Sequence, residues 1–176
     1  NHDSRRWSDD ERTTEGDFTM NLIQQHGSDH QKRVAEFMRL AGQAVPDTFT
    51  VPDVETRRLR ARLILEEALE TIEALGFDVV VPQAHPVIVS DVYFFANHKP
   101  DPIEVIDGCC DLDVVSVGGT LAALGLPDLP FLAEVDKKNL EKGAGHRDPA
   151  TGKWAKPADW TPPDIAGVLS KLTGGW

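Results

Sequence analysis

Two stretches of this chain are each opened by an aspartate and closed by a glycine, and nothing between those marks interrupts a helix. Asp53 can cap a segment from about Val54 to Leu75, rich in strong helix formers and ended by Gly76. Asp101-Pro102 supplies an N-cap followed by proline at the first helical position, and an apolar run continues to Leu124 before Gly125. Around these two rods the spacing predicts two more helices. One runs over Gln31–Ala44, with Val34, Phe37, Met38 and Ala41 on one face, Ser28 or Asp29 as its cap and Pro46 beyond its end. The other opens at Asp128 and carries Phe131, Leu132, Val135 and Leu140. The expected fold is therefore all-α, a four-helix bundle.

The remaining segments punctuate that bundle. Residues 77–90 are β-branched and broken by Pro82 and Pro86, which predicts a short hairpin or ribbon inserted between the two long helices. Gly143, Gly145, Gly152, Pro157, Pro162 and Pro163 predict a long irregular C-terminal tail. Residues 1–19 show no apolar period and read as a flexible arm, so the helical domain is expected over 20–176.

Composition narrows the function. The 176 residues suit one domain with a real core, and 18 basic against 29 acidic side chains leave a net charge of −11. Such a field repels a nucleic-acid backbone or an anionic lipid surface, so neither is expected as a partner. Cys109 and Cys110 are adjacent and poorly placed for a mutual disulfide, which reads as reduced thiols in a cytoplasmic protein. Mid-helix and without zinc partners, they read as buried small apolar residues. No apolar run is long enough to span a bilayer.

The acids are not scattered. At about 100° per residue, Leu59, Leu63, Glu66 and Glu70 share one face of the first rod, with Glu67 at its margin. On the second rod Glu104, Asp107 and Asp111 share a face that Val114, Val115, Gly118 and Ala122 continue. Carboxylates that prolong a buried stripe carry a large desolvation cost unless cations offset it, which points to hard-metal coordination, with Mg²⁺ as occupant and Mn²⁺ as a substitute. A di-iron site is disfavoured because neither helix has a Glu-x-x-His pair. The nucleophile elbow and the P-loop also fail, since Val114-Val115-Ser116-Val117-Gly118 lacks its first glycine and Gly152-Lys153 runs on to Trp154.

Opposite charge gathers in the tail, where Lys137, Lys138, Asn139, Lys142, His146, Arg147, Lys153 and Lys156 surround Trp154 and Trp160. Beside a metal cluster such a segment can clamp phosphates; by itself it is a solvated basic loop.

Glu66-Glu67-Ala68-Leu69-Glu70 and Glu104-Val105-Ile106-Asp107 resemble the EExxE and ExxD motifs of the MazG-like all-α nucleoside triphosphate pyrophosphohydrolases, among them the phosphoribosyl-ATP pyrophosphohydrolase branch. Asp111 resembles a further acid one turn later. Asn139-Leu140-Glu141-Lys142, then Gly152-Lys153 to Lys156-Pro157 and Trp160-Thr161-Pro162-Pro163-Asp164, are similar to the closing segment of phage and bacterial members. The likeness covers roughly residues 30–165, and it departs from the usual pattern in the thirty-three residues between Glu70 and Glu104, a gap that the inserted ribbon lengthens.

The resemblance implies cleavage of a nucleoside triphosphate to its monophosphate and pyrophosphate. It implies Glu67, Glu70, Asp107 and Glu104 or Asp111 as metal ligands, with Glu66 as ligand or general base. It also implies Asn139, Lys142, Lys153 and Lys156 on phosphate oxygens, with Arg62 and Arg58 secondary, although pairing with helix acids also accounts for the two arginines. A base is expected against Phe37, Met38 and Phe49, with Trp154 or Trp160 closing over it. A purine is the expected base, dGTP first, as in the phage MazZ branch. A homodimer or dimer of dimers is the implied assembly, with the hairpin, Gly118 and Gly119 as interface elements. Two alternatives stay open: a metal-dependent hydrolase of another diphosphate metabolite, and a non-catalytic helical module whose acids face solvent.

Overall fold

The computed structural model describes residues 21–81, 92–149 and 154–175, and these are mostly helical with small antiparallel ribbons. The expected arm at 1–19, Pro82 and Pro86 of the hairpin, and Lys153 lie outside the described residues. In chain order come α1 (Leu22–His26), α2 (Asp29–Leu40), α3 (Val54–Ala74), β1 (Phe77–Val80), β2 (Tyr93–Ala96), α4 (Pro102–Asp113), a π-helical turn (Val114–Gly118), α5 (Gly119–Ala123), α6 (Leu129–Glu141), β3 (His146–Arg147), β4 (Trp154–Ala155) and α7 (Ile165–Thr173). Among the described residues no helix is long and apolar enough to cross a membrane.

Side-chain oxygens fix where the helices start. Ser28 Oγ accepts from the Gln31 amide at 3.0 Å, Asp53 Oδ1 from Thr56 at 2.7 Å and Asp101 Oδ1 from Ile103 at 2.9 Å. The Thr56 bonds hold the Asp53 carboxyl below its ordinary value. α2 stops short of residue 44: Gly42 takes φ +73°, and the Gln43 amide turns back to the Met38 carbonyl at 2.8 Å.

The second rod is not one continuous helix. Ser116 Oγ donates to the Leu112 carbonyl and Thr120 Oγ1 to the Val115 carbonyl, and the widened turn between them separates α4 from α5. That turn presents Gly118 to Val34 of α2, and Gly119 to Arg60 and Met38. Both glycines are buried within the chain, so the expectation that they form an interface between copies is corrected.

The core gathers at this end. Ile23, Val34, Ala35, Met38, Ala122 and Ala123 form it, with Val45 and Val114 packed against it. Buried Gln31 joins α2 to the start of α6, donating from Nε2 to the Leu126 carbonyl and accepting from the Asp128 amide, both at 2.9 Å. Asp128, 4% exposed, accepts from the Ser28 amide at 2.7 Å and the Ser28 hydroxyl at 2.5 Å. Asp128→Ala leaves those donors without an acceptor and is expected to cost about 3 kcal/mol, a fall in Tm of roughly 6–12 °C by calorimetry.

The tail is more ordered than glycine and proline content suggests. His146–Arg147 pairs antiparallel with Trp154–Ala155. α7 was not expected; Asp164 caps it by accepting from the Gly167 amide at 2.9 Å, and it packs on α6.

Candidate carboxylate groove

α4 returns along α3. The Asp101 amide donates to the Ala74 carbonyl at 2.8 Å, Gly108 meets Thr71, and Gly119 meets Arg60, so contacts step back along one helix as they advance along the other. Gly108 permits close approach of the two helices, since a Cβ there would collide with Thr71 Oγ1. Gly76, at φ +92° against the His98 carbonyl, turns the chain out of α3 into β1.

From the Thr71–Gly108 contact, the helical repeat carries Glu67 and Glu70 of α3 to the same flank as Glu104, Asp107 and Asp111 of α4. Burial raises the Glu67 carboxyl above its ordinary value, and the charges of Asp111, Glu70, Glu66 and Asp107 raise it further. Two helices thus bring four acids into electrostatic reach of Glu67. Glu104 lies one turn before Asp107, toward the start of α4.

Contrary to the expectation of a buried stripe, these acids do not lie in the core. Glu66, Glu70, Glu104 and Asp107 are exposed, while Glu67 and Asp111 are half-buried. The leucine stripe they were thought to prolong is not buried either; Leu59 is exposed and Leu63 half-buried. The side of α3 turned inward carries Arg60, Thr71 and Ala74 instead. The acids therefore lie along one solvent-facing side of a helix pair.

Among the described residues, no group of three or more His, Cys, Asp or Glu side chains is gathered closely enough to hold a metal ion as the side chains stand. The donor chemistry nonetheless fits a hard divalent cation: every group is a carboxylate, and the crowding of like charge that raises the Glu67 carboxyl above its ordinary value is what an added cation relieves.

The basic residues assemble elsewhere. Lys156 Nζ and Lys142 Nζ stand 4.1 and 5.1 Å from the centroid of the Trp160 ring, and Trp160 Nε1 donates to the Lys138 carbonyl at 3.0 Å. Lys142 Nζ also donates to Asn139 Oδ1 at 2.9 Å. Asn139, Lys142, Lys156 and Trp160 thus form one cluster at the end of α6, and α6 packs chiefly on α7 rather than on α3 or α4. Arg62 is exposed on α3, one turn before Glu66, and Arg58 pairs with Glu55 at 2.5 Å.

Met38 is a core residue, which removes it from the expected base contact, and Phe37 is exposed. Open space near the loop before α3 is found instead in a nearly apolar pocket of about 330 Å³, lined by Val51, Pro52, Arg60, Ile64 and Leu124 among others. Arg60 is 6% exposed, with its Nη2 donating to Gln43 Oε1 and its Nε unpartnered. Its burial was missed, although Arg60, Ile64, Glu67 and Thr71 recur at the spacing of one helix face. Cys109 and Cys110 are exposed, not buried, because Gly108 takes the place facing α3 and the next two residues turn away from it.

No known protein-family model and no curated protein matches this chain.

Proposed function

We propose that the chain is a Mg²⁺-dependent nucleoside triphosphate diphosphatase of the MazG-like all-α type, releasing pyrophosphate and a monophosphate from a purine triphosphate, dGTP first. The observation that carries this reading is the convergence of acids from α3 and α4 on Glu67. Glu67, Glu70 and Asp107, with Glu104 or Asp111, are the ligands for Mg²⁺ or Mn²⁺, and Glu66 is a ligand or the general base. When bound, such ions offset phosphate charge and make water a better nucleophile.

Asn139, Lys142, Lys153 and Lys156 are assigned to phosphate oxygens, Trp160 to the substrate and Arg62 to a secondary contact. Because α6 packs chiefly on α7, the reading carries a homodimer or dimer of dimers, closed as a helical bundle, in which these groups meet the acids across subunits. A nucleotide substrate also implies a cytoplasmic location.

Incubating the protein with each canonical (d)NTP and Mg²⁺, and identifying both products, tests the reading. Pyrophosphate with dGMP supports it, and no turnover of any of them removes it. The exposure of four of the acids favours a second reading, a helical interaction module with a solvated acidic face. Calorimetry separates the two: saturable Mg²⁺ binding and a rise in Tm are expected of the hydrolase, and neither of the module.

A further inference from the structure

The pocket of about 330 Å³ opens between the loop before α3, α3 itself and α5. Val51 and Pro52 of the loop, Ile64 of α3, Ala123 of α5 and Leu124 just beyond it supply apolar walls. The loop is tied down at this point, since the Thr50 amide donates to the Leu124 carbonyl at 3.0 Å. The volume falls at the lower end of small-molecule sites, and at about 30 Å³ per water it has room for roughly ten non-hydrogen atoms.

Charge sets this pocket apart from the rest of the molecule. In a chain of net charge −11, the ionised residues that line it are both arginines, Arg57 and Arg60, and among the described residues no acid does so. Arg57 is exposed, whereas Arg60 is 6% exposed. The Arg60 Nη2 donates to Gln43 Oε1, but its Nε is buried without a hydrogen-bond partner. Among the described residues no carboxylate pairs with it, and burial alone pulls its guanidinium below the ordinary value. Thr120, the other polar residue of the lining, already donates from its hydroxyl to the Val115 carbonyl at 2.8 Å. Asp53 belongs to the adjoining pocket and accepts from the Thr56 amide at 2.7 Å.

We propose that this pocket binds a small apolar carboxylate, such as a medium-chain fatty acid or an arylcarboxylate, with its charged end on Arg60 and its hydrocarbon part against Val51, Ile64 and Leu124. A buried cation without a counter-ion is costly, and an entering anion offsets that cost. The apolar walls require the rest of the ligand to be apolar. A phosphate fits poorly, because it brings more charge and more oxygens than one free donor can satisfy between such walls. A neutral apolar molecule would leave the guanidinium unpaired. Neither Mg²⁺ nor any acid of α4 takes part, so the inference stands if no triphosphate is cleaved.

Isothermal titration of the full chain with sodium octanoate, an ion of about the right size, and with 1-octanol tests it in buffer free of nucleotide and phosphate. The expected result is one saturable octanoate site, with octanol bound about tenfold or more weaker. Arg60→Met keeps an apolar stem and removes the charge, so it should weaken octanoate by about tenfold or more and erase the preference over octanol. Arg60 also holds Gln43, so a second variant is needed that leaves its bonds in place. Ala61→Phe, at an exposed position on the pocket wall, should block octanoate while the circular dichroism stays that of the wild type. No saturable octanoate binding, equal affinity for octanol, or unchanged octanoate affinity in either folded variant would overturn the proposal. Tighter binding of inorganic phosphate than of octanoate would overturn it too, making this a phosphate site.

Discussion

Replacing Glu67 by Gln is expected to stop turnover while making the protein more resistant to heat at neutral pH. The two effects share one cause. Glu67 is half-buried among Asp111, Glu70, Glu66 and Asp107, and both burial and those charges raise its carboxyl above the ordinary 4.5. The folded state therefore binds this proton more readily than the unfolded state does. Ionised Glu67 costs stability at neutral pH; the cost fades as pH falls through the raised value, and it is gone below 4.5.

The Gln variant should accordingly have the higher Tm at pH 7, with the difference closing on acidification. Mg²⁺ should reverse the order, stabilising the wild type more than the variant, because the cation is the partner that the four neighbouring charges lack. Loss of a ligand worth several kcal/mol in the transition state implies a fall in kcat of about 10³-fold or more. Wild-type turnover in Glu67→Gln removes the hydrolase reading, and a Tm difference that ignores pH removes the electrostatic account of the groove.

How much of this was legible depended on whether the signal was local. Asp53, Asp101 and Asp128 act within a turn of their own positions, so the starts of α3, α4 and α6 could be read directly. The π turn could not, because Ser116 and Thr120 fit an ordinary helix until their hydroxyls bond the carbonyls of Leu112 and Val115. α7 had a visible signal in Asp164, Ile165, Val168 and Leu172, masked by the prolines just before it.

For the groove, periodicity gave the shared flank of the acids but not their depth. Whether Glu70 or Asp107 is covered depends on what packs over α3 and α4, and that is not encoded in either helix alone. The same blindness made Cys109 and Cys110 look buried and hid Arg60. A charged side chain on the inward face reads as solvent-facing until Gln43 and Gly119 close around it.

Gly108→Val is expected to be among the most destabilising single substitutions in the helix pair, and to disturb the groove without touching any of its acids. A Cβ at 108 would fall on Thr71 Oγ1, with Thr71 Cβ and Cα at 3.2 and 3.3 Å. The hydroxyl cannot swing aside cheaply, since it donates to the Glu67 carbonyl at 2.7 Å and Thr71 is 7% exposed. The helices must separate instead, at a cost of about 3 kcal/mol and a fall in Tm of roughly 6–12 °C. Separation carries Asp111 away from Glu67, so Mg²⁺ affinity should drop together with stability. Gly108→Ala, one methyl in place of three carbons, should do the same to a smaller extent. Thr71→Ala in that background removes the oxygen at the point of collision, so the double variant should be more stable than the sum of the single effects by about 1 kcal/mol. Strict additivity, with Mg²⁺ binding unchanged in Gly108→Val, would mean that the close approach of α3 and α4 does not hold the acids together.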